Sequence, residues 1–230
     1  MRRVRCRLDE AALTAYVTGQ LNAFFPDDRM VGPDSFRGLL PDLLDRIEHC
    51  FTRINNKYFQ DADGALFDPL HGDQYAMFLY LAANAAYRAG AGDGLPSKLF
   101  LLNKALHGIE VFYEVELPSI FLFVHPLGTV LGRGRYSDHL LVYQRCGVGS
   151  NHECYPELGP YLTLRPGSSV LGKCRVGRNC TIAADSLLLD QDLPDQTVYI
   201  GNPRDHVTRP ADSVVPIWRL PTSPASPSLR

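Results

Sequence analysis

His125 is the residue best placed for chemistry in this sequence, because it stands where a regular repeat breaks phase. It lies in the run Phe123-Val124-His125-Pro126-Leu127-Gly128-Thr129-Val130-Leu131-Gly132. A hydroxyl with a pKa of about 16 is a poor nucleophile, and a neutral imidazole can take its proton as it attacks. Two further histidines are candidates, His139 directly after Asp138, and His152 in a long connection. Three histidines could instead hold zinc, but these are separated by 14 and 13 residues, which is not a usual ligand spacing.

The element that must position them is a repeat of six. Large aliphatic residues fall at Leu158, Leu164, Val170, Val176, Ile182 and Leu188, with small or turn-forming residues between them. Neither a helix, of period 3.6, nor a strand, of period 2, produces that rhythm. Short strands joined by fixed turns do, as in a parallel β-helix. The blocks Val130, Tyr136, Val142, Val148 and Val111, Leu117, Phe123 keep the same step. They are separated by a seven-residue step from 123 to 130 and a ten-residue step from 148 to 158. Three anchors per coil predict about four coils, a prism about 20 Å tall at the usual strand spacing. Its flat faces predict trimer formation.

Ahead of the repeat the pattern is helical. Asp9 is placed to cap a helix carrying Leu13, Val17 and Leu21, which ends before Pro26. The strongest apolar stripe runs Leu40, Leu43, Leu44, Ile47, Phe51, Ile54, Tyr58. Residues 61–64 read as a loop; a further helix opens at Asp73 and ends at Gly90, and a last one follows Pro96. These helices predict a cover for one end of the coil stack, whose open ends would otherwise invite aggregation. The predicted organisation is a helical domain over 1–107, a β-helix over 108–205 and an irregular tail over 206–230, its Pro- and Ser-rich last ten residues disordered.

Composition excludes several classes. The 230 residues carry a net charge of −2, which gives no electrostatic case for nucleic acid. No apolar run approaches a membrane span. Six cysteines without a Cys-x-x-Cys pair read as reduced thiols of a cytoplasmic protein.

The segment His125-Pro126-Leu127-Gly128-Thr129-Val130-Leu131-Gly132 resembles the catalytic segment of serine O-acetyltransferases, which are left-handed β-helix acyltransferases. Val142-Tyr143-Gln144-Arg145-Cys146-Gly147-Val148-Gly149, Tyr155-Pro156-Glu157-Leu158-Gly159, Ile200-Gly201-Asn202-Pro203-Arg204, and Asp68-Pro69 with Asp73-Gln74-Tyr75, similar to the family's substrate-facing segment, extend the resemblance across most of residues 40–205. It implies acetyl transfer from acetyl-CoA to a hydroxyl of serine or a serine-like acceptor, with no metal. It implies His125 as base and, fifteen positions earlier, Glu110 as the carboxylate that orients it. Substrate contacts fall to Asp68, Gln144, His152 and Tyr155, and coenzyme contacts to Gly149, Pro166, Ala184 and Arg204. A trimer, or a dimer of trimers, follows.

Two departures bear on the acceptor. The family's Asp before the base histidine is Val124 here, and its Arg-His before Pro is Cys154-Tyr155. A buried amino acid needs partners at both ends, so a sugar O- or N-acetyltransferase of surface-polysaccharide synthesis is the alternative acceptor class. A non-catalytic β-helix scaffold and a zinc enzyme of the γ-carbonic-anhydrase type are the remaining alternatives. The C-terminal Ser-Leu-Arg lacks the terminal isoleucine with which the family docks cysteine synthase, so that complex is not expected.

Overall fold

A computed structural model describes residues 4–61, 63–91 and 94–219. The helical region contains α1 (Glu10–Phe24), α2 (Pro33–Arg37), α3 (Leu40–Phe51), α4 (Gly72–Arg88) and α5 (Gly94–His107). Asp9 caps α1 as expected, its carboxylate accepting the Ala12 N–H at 2.7 Å. The apolar stripe of α3 ends with the helix at Phe51; Ile54 forms a bridge and Tyr58 lies exposed in a single 3₁₀ turn. Within the loop expected at 61–64, Asp61 and Gly64 are instead paired strand ends: Gln60–Asp61 runs antiparallel to Gly64–Phe67, and the latter strand also pairs with Val4–Cys6.

Helix α4 is central. Every residue from Gln74 to Ala86 is buried, the mark of a helix surrounded on all sides rather than laid on a surface. It packs on the first coil of the β-helix. The Tyr80 hydroxyl donates to the Val115 carbonyl at 2.7 Å and accepts the Leu117 N–H at 2.8 Å. Asn103 on α5 in turn donates to the Ala76 carbonyl at 2.9 Å.

From Glu110 onward the chain forms a parallel β-helix of about five coils, one more than the anchors predicted. Its first face stacks Glu110–Val111, Val130–Leu131, Gly147–Gly149, Ser169–Leu171 and Leu187–Leu189. The second stacks Arg135–Tyr136, Glu157–Leu158 and Arg175–Val176. The third stacks Phe121–Phe123, Leu140–Val142, Thr163–Leu164, Thr181–Ile182 and Thr197–Asn202. The inward row of the third face is Phe123, Val142, Leu164, Ile182 and Tyr199, each level with the next.

One anchor is corrected. Leu131, not Val130, points inward and pairs with Val148, while Val130 is 46% exposed. Because strand side chains alternate, a slip of one residue exchanges the two faces. The phase break after Phe123 is thus two residues longer than the turns below it, four residues long at 143–146 and 165–168 and six at 124–129.

Residues 205–219 are more regular than expected. Asp205–Pro210 turns back at Pro203-Arg204 and pairs antiparallel with Thr197–Asn202 throughout. The alternation of Val207 and Thr208 with charged residues hid a strand that is paired but solvent-facing. Residues 211–219 then return to the helical region, where the Asn55 N–H donates to the Ile217 carbonyl at 2.6 Å and Trp218 is buried. The tail expected to be disordered, 221–230, lies outside the described residues.

Candidate active site

His125 occupies the six-residue turn joining the third face to the first. Val124 still follows the ladder, its N–H donating to the Val142 carbonyl at 2.9 Å as Tyr143 does to Leu164 at 3.1 Å, so the two extra residues of that turn are His125 and Pro126, and His125 takes the left-handed backbone, φ +50°. Beneath it, the shorter turns superpose through Arg145 to Leu127, Gly167 to Gln144 and Asp185 to Pro166, each N–H meeting the carbonyl of the coil before at 2.9 Å. The regular ladder therefore resumes at Leu127, and the insertion is extruded from the edge. The imidazole stands 80% exposed.

What holds this turn is not Glu110. The His125 N–H donates at 2.9 Å to Oδ1 of Asp73, in the first turn of α4, and the same oxygen is 4.0 Å from His125 Nδ1. The Asp73 side chain is 15% exposed. Burial is the largest influence on it and raises its pKa, opposed by the His125 N–H and by the nearby His125 and His71 rings. Glu110 instead directs its carboxylate to Lys104 Nζ at 2.6 Å, and both side chains are about half exposed. The expected orienting contact is replaced because Lys104, one turn before the end of α5, reaches the strand that carries Glu110. The sequence marks Asp73 as a helix opener and as part of the segment resembling the family's substrate-facing one, without a link to His125; its position near His125 depends on how α4 packs against the β-helix.

Other residues divide between edges. Gln144, Pro166 and Ala184 lie in successive turns beneath Leu127, on the edge from which His125 projects. Gln144 Oε1 is buried without a hydrogen-bond partner among the described residues. Arg204 sits in the exposed hairpin turn that follows the last strand of the third face. Gly149, His152 and Tyr155 do not join them: they lie at the opposite end of the first face and in the 150–156 connection to the second. Asp68 is committed elsewhere, its carboxylate 2.8 Å from Arg7 Nε and accepting the Leu70 N–H at 3.0 Å.

Asp138 and His139 make contacts with neighbouring coils and with the C-terminal segment. The Asp138 carboxylate accepts the Ile120 N–H at 3.0 Å, and the His139 ring stacks on Tyr161 at 4.2 Å with Trp218 against its edge. His125, His139 and His152 occupy three different edges of the prism, so within one chain they cannot share a metal ion. Among the described residues no group of three or more His, Cys, Asp or Glu is arranged to hold one, and no helix is long and apolar enough to cross a membrane.

No protein-family model matches the chain. It is 27% identical over 128 residues to a serine acetyltransferase of Synechococcus elongatus, covering 54% of this chain and 52% of that protein. The chain thus spans about half the length of the curated relatives it matches. Among solved structures, Neisseria gonorrhoeae serine acetyltransferase in complex with serine superposes with a TM-score of 0.67 at 18% identity, covering 90% of this chain and 84% of that one. Serine acetyltransferase from Brucella abortus in complex with coenzyme A gives 0.67 at 16% identity, covering 91% and 85%. In sequence over part of its length and in fold over nearly all of it, the chain is serine acetyltransferase-like, a hexapeptide-repeat β-helix behind a helical N-terminal region.

Proposed function

We propose that the protein transfers an acetyl group from acetyl-CoA to the hydroxyl of serine or a serine-like small acceptor, with His125 as general base. The observation that carries this reading is the extruded turn: two residues are added to one corner of a regular coil, and one is an open imidazole. Its Nδ1 side faces Asp73, which leaves Nε2 to take the acceptor proton as the hydroxyl oxygen bonds to the thioester carbonyl. The coenzyme thiolate then leaves, and the imidazolium returns its proton to it. The edge below supplies room for the coenzyme: Gln144, Pro166 and Ala184 form a low rail from His125 towards Arg204, whose guanidinium suits phosphate. The serine and coenzyme A complexes of the two relatives named above support both substrates.

Self-association as a trimer belongs to the same reading. Beyond Glu110 in the first coil, the outward row of the first face is apolar or small: Val130, Gly147, Gly149, Ser169, Leu171, Leu187 and Leu189. Covering it with a second copy would bring the connection bearing His152 and Tyr155 beside the neighbour's His125 edge. Light scattering would detect the trimer, and a monomer at micromolar concentration would remove this part of the proposal. Six cysteines that stand as free thiols suit a reducing, cytoplasmic setting.

The test is a coenzyme-release assay with acetyl-CoA and serine, repeated with homoserine and with amino and neutral sugars. His125→Ala should lower turnover about 10²–10⁴-fold. Unchanged turnover in that variant would remove His125 from the mechanism, and turnover with sugars alone would move the acceptor class.

A further inference from the structure

We infer that Asp73, contributed by the helical region, is the positioning carboxylate of His125, and that Glu110 is not. This rests on the reading of His125 as a base. Glu110 is fifteen residues away in sequence but spends its charge on Lys104 at 2.6 Å. Asp73 is 52 residues away and fixes the histidine at the backbone, 2.9 Å, with the ring nitrogen 4.0 Å from the same oxygen. The longer distance exceeds a hydrogen bond, but the ring is almost free in solvent, and rotation about its side-chain bonds closes the gap without moving the turn. Hydrogen bonds of this kind commonly tighten only when substrate is bound.

The chemistry of the two carboxylates differs in a way that matters. Asp73 is shielded from water, so its field on an imidazolium is weakly screened; Glu110 is half exposed and already neutralised. Asp73 also lies in the first turn of α4, where the helix dipole favours its ionised form. An ionised carboxylate on the Nδ1 side holds the proton there and keeps Nε2 free to accept one. The helical region therefore takes part in the reaction centre as well as covering the coil.

Three variants separate the candidates: Asp73→Asn, Asp73→Glu and Glu110→Gln. Asp73→Asn keeps an oxygen for the His125 N–H, so the turn is retained. It should cut kcat about 10²–10⁴-fold with little change in KM for acetyl-CoA, and Asp73→Glu should recover part of the loss. Glu110→Gln should turn over like the wild type. The reverse pattern, a loss in Glu110→Gln and none in Asp73→Asn, would overturn the inference. A readout independent of turnover keeps this distinct from the fate of the acetyl-transfer reading. In protein labelled with ¹⁵N-histidine, the His125 ring should be held as the Nδ1–H tautomer in the wild type and Glu110→Gln, and lose that preference in Asp73→Asn. An unchanged tautomer in Asp73→Asn would refute the inference whatever reaction the protein catalyses.

Discussion

Oδ1 of Asp73 accepts the backbone N–H of His125 at 2.9 Å, joining the first turn of α4 to the one extruded corner of the β-helix. The carboxylate doing this is largely buried, and burial raises its pKa. A carboxylate whose folded pKa is raised stabilises the fold below its unfolded value and loses that contribution as pH rises through the folded value. At neutral pH its ionised form is therefore a cost to stability.

That sign gives a prediction in which stability and activity part company. Asp73→Asn removes the buried charge and keeps the backbone bond, so its Tm at pH 7 should equal or exceed the wild type while turnover falls. Thermal denaturation run beside the coenzyme-release assay checks it. A large drop in Tm would mean that the carboxylate is retained for folding.

His107 sets a second pH dependence, on stability alone. Burial pushes its pKa down to about 4, and its Nδ1 lies 2.8 Å from Asn103 Oδ1. The unfolded chain binds a proton on this ring near pH 6.5 and the folded chain does not, so stability falls as pH drops from about 6.5 to 4. The loss is at most about 3 kcal/mol, and less because the ring is only partly buried. His107→Gln preserves the contact with Asn103, and urea unfolding at pH 7 and 5 should then show a smaller difference than in the wild type. An unchanged difference would assign the acid sensitivity elsewhere.

Gly159 illustrates how tightly the coils stack. A Cβ there would lie 2.6 Å from the carbonyl oxygens of both Val176 and Gly177 in the next coil, and neither is a side chain that can move aside. Gly159→Ala should therefore cost about 1–3 kcal/mol or more, read as a lower urea midpoint with an unchanged m-value. Gly19, whose Cβ would meet nothing within 4 Å, is the control on α1, where alanine should be neutral or stabilising.

The β-helix was legible in the sequence because its signal is local: an aliphatic residue every six positions, with turns between. The same local signal located His125, since an insertion in a periodic sequence is visible as a break. It misplaced Val130 by one residue, because Val130 and Leu131 are both aliphatic and only pairing with Val148 decides which points inward. What could not be read was contact between distant segments. Nothing near Asp73 in sequence announces His125, and nothing in Glu110 announces that Lys104 will claim it. The division of Gln144 from His152 and Tyr155 is of the same kind, because neighbours in sequence were carried to different edges of a three-sided prism.

Trp218 is the last such contact, and it carries a prediction. The chain leaves the far end of the coil stack at Pro210 and runs back to α3, where Ile54 bridges Trp218 and the Arg219 N–H donates to the Arg53 carbonyl at 2.7 Å. The indole is buried with its ring 5.3 Å from His139, which in turn stacks on Tyr161. This segment therefore ties the helical region to an edge of the prism remote from His125. Trp218→Ala should cost about 3–5 kcal/mol, the usual range for emptying a buried tryptophan site. If the tie is as local as its contacts, the loss falls on the joint between the two regions. Amide exchange should then accelerate at Arg53, Asn55 and His139, while Thr163–Leu164 and Ser169–Leu171 keep their protection. Uniform acceleration across the coils would show that the segment stabilises the β-helix as a whole.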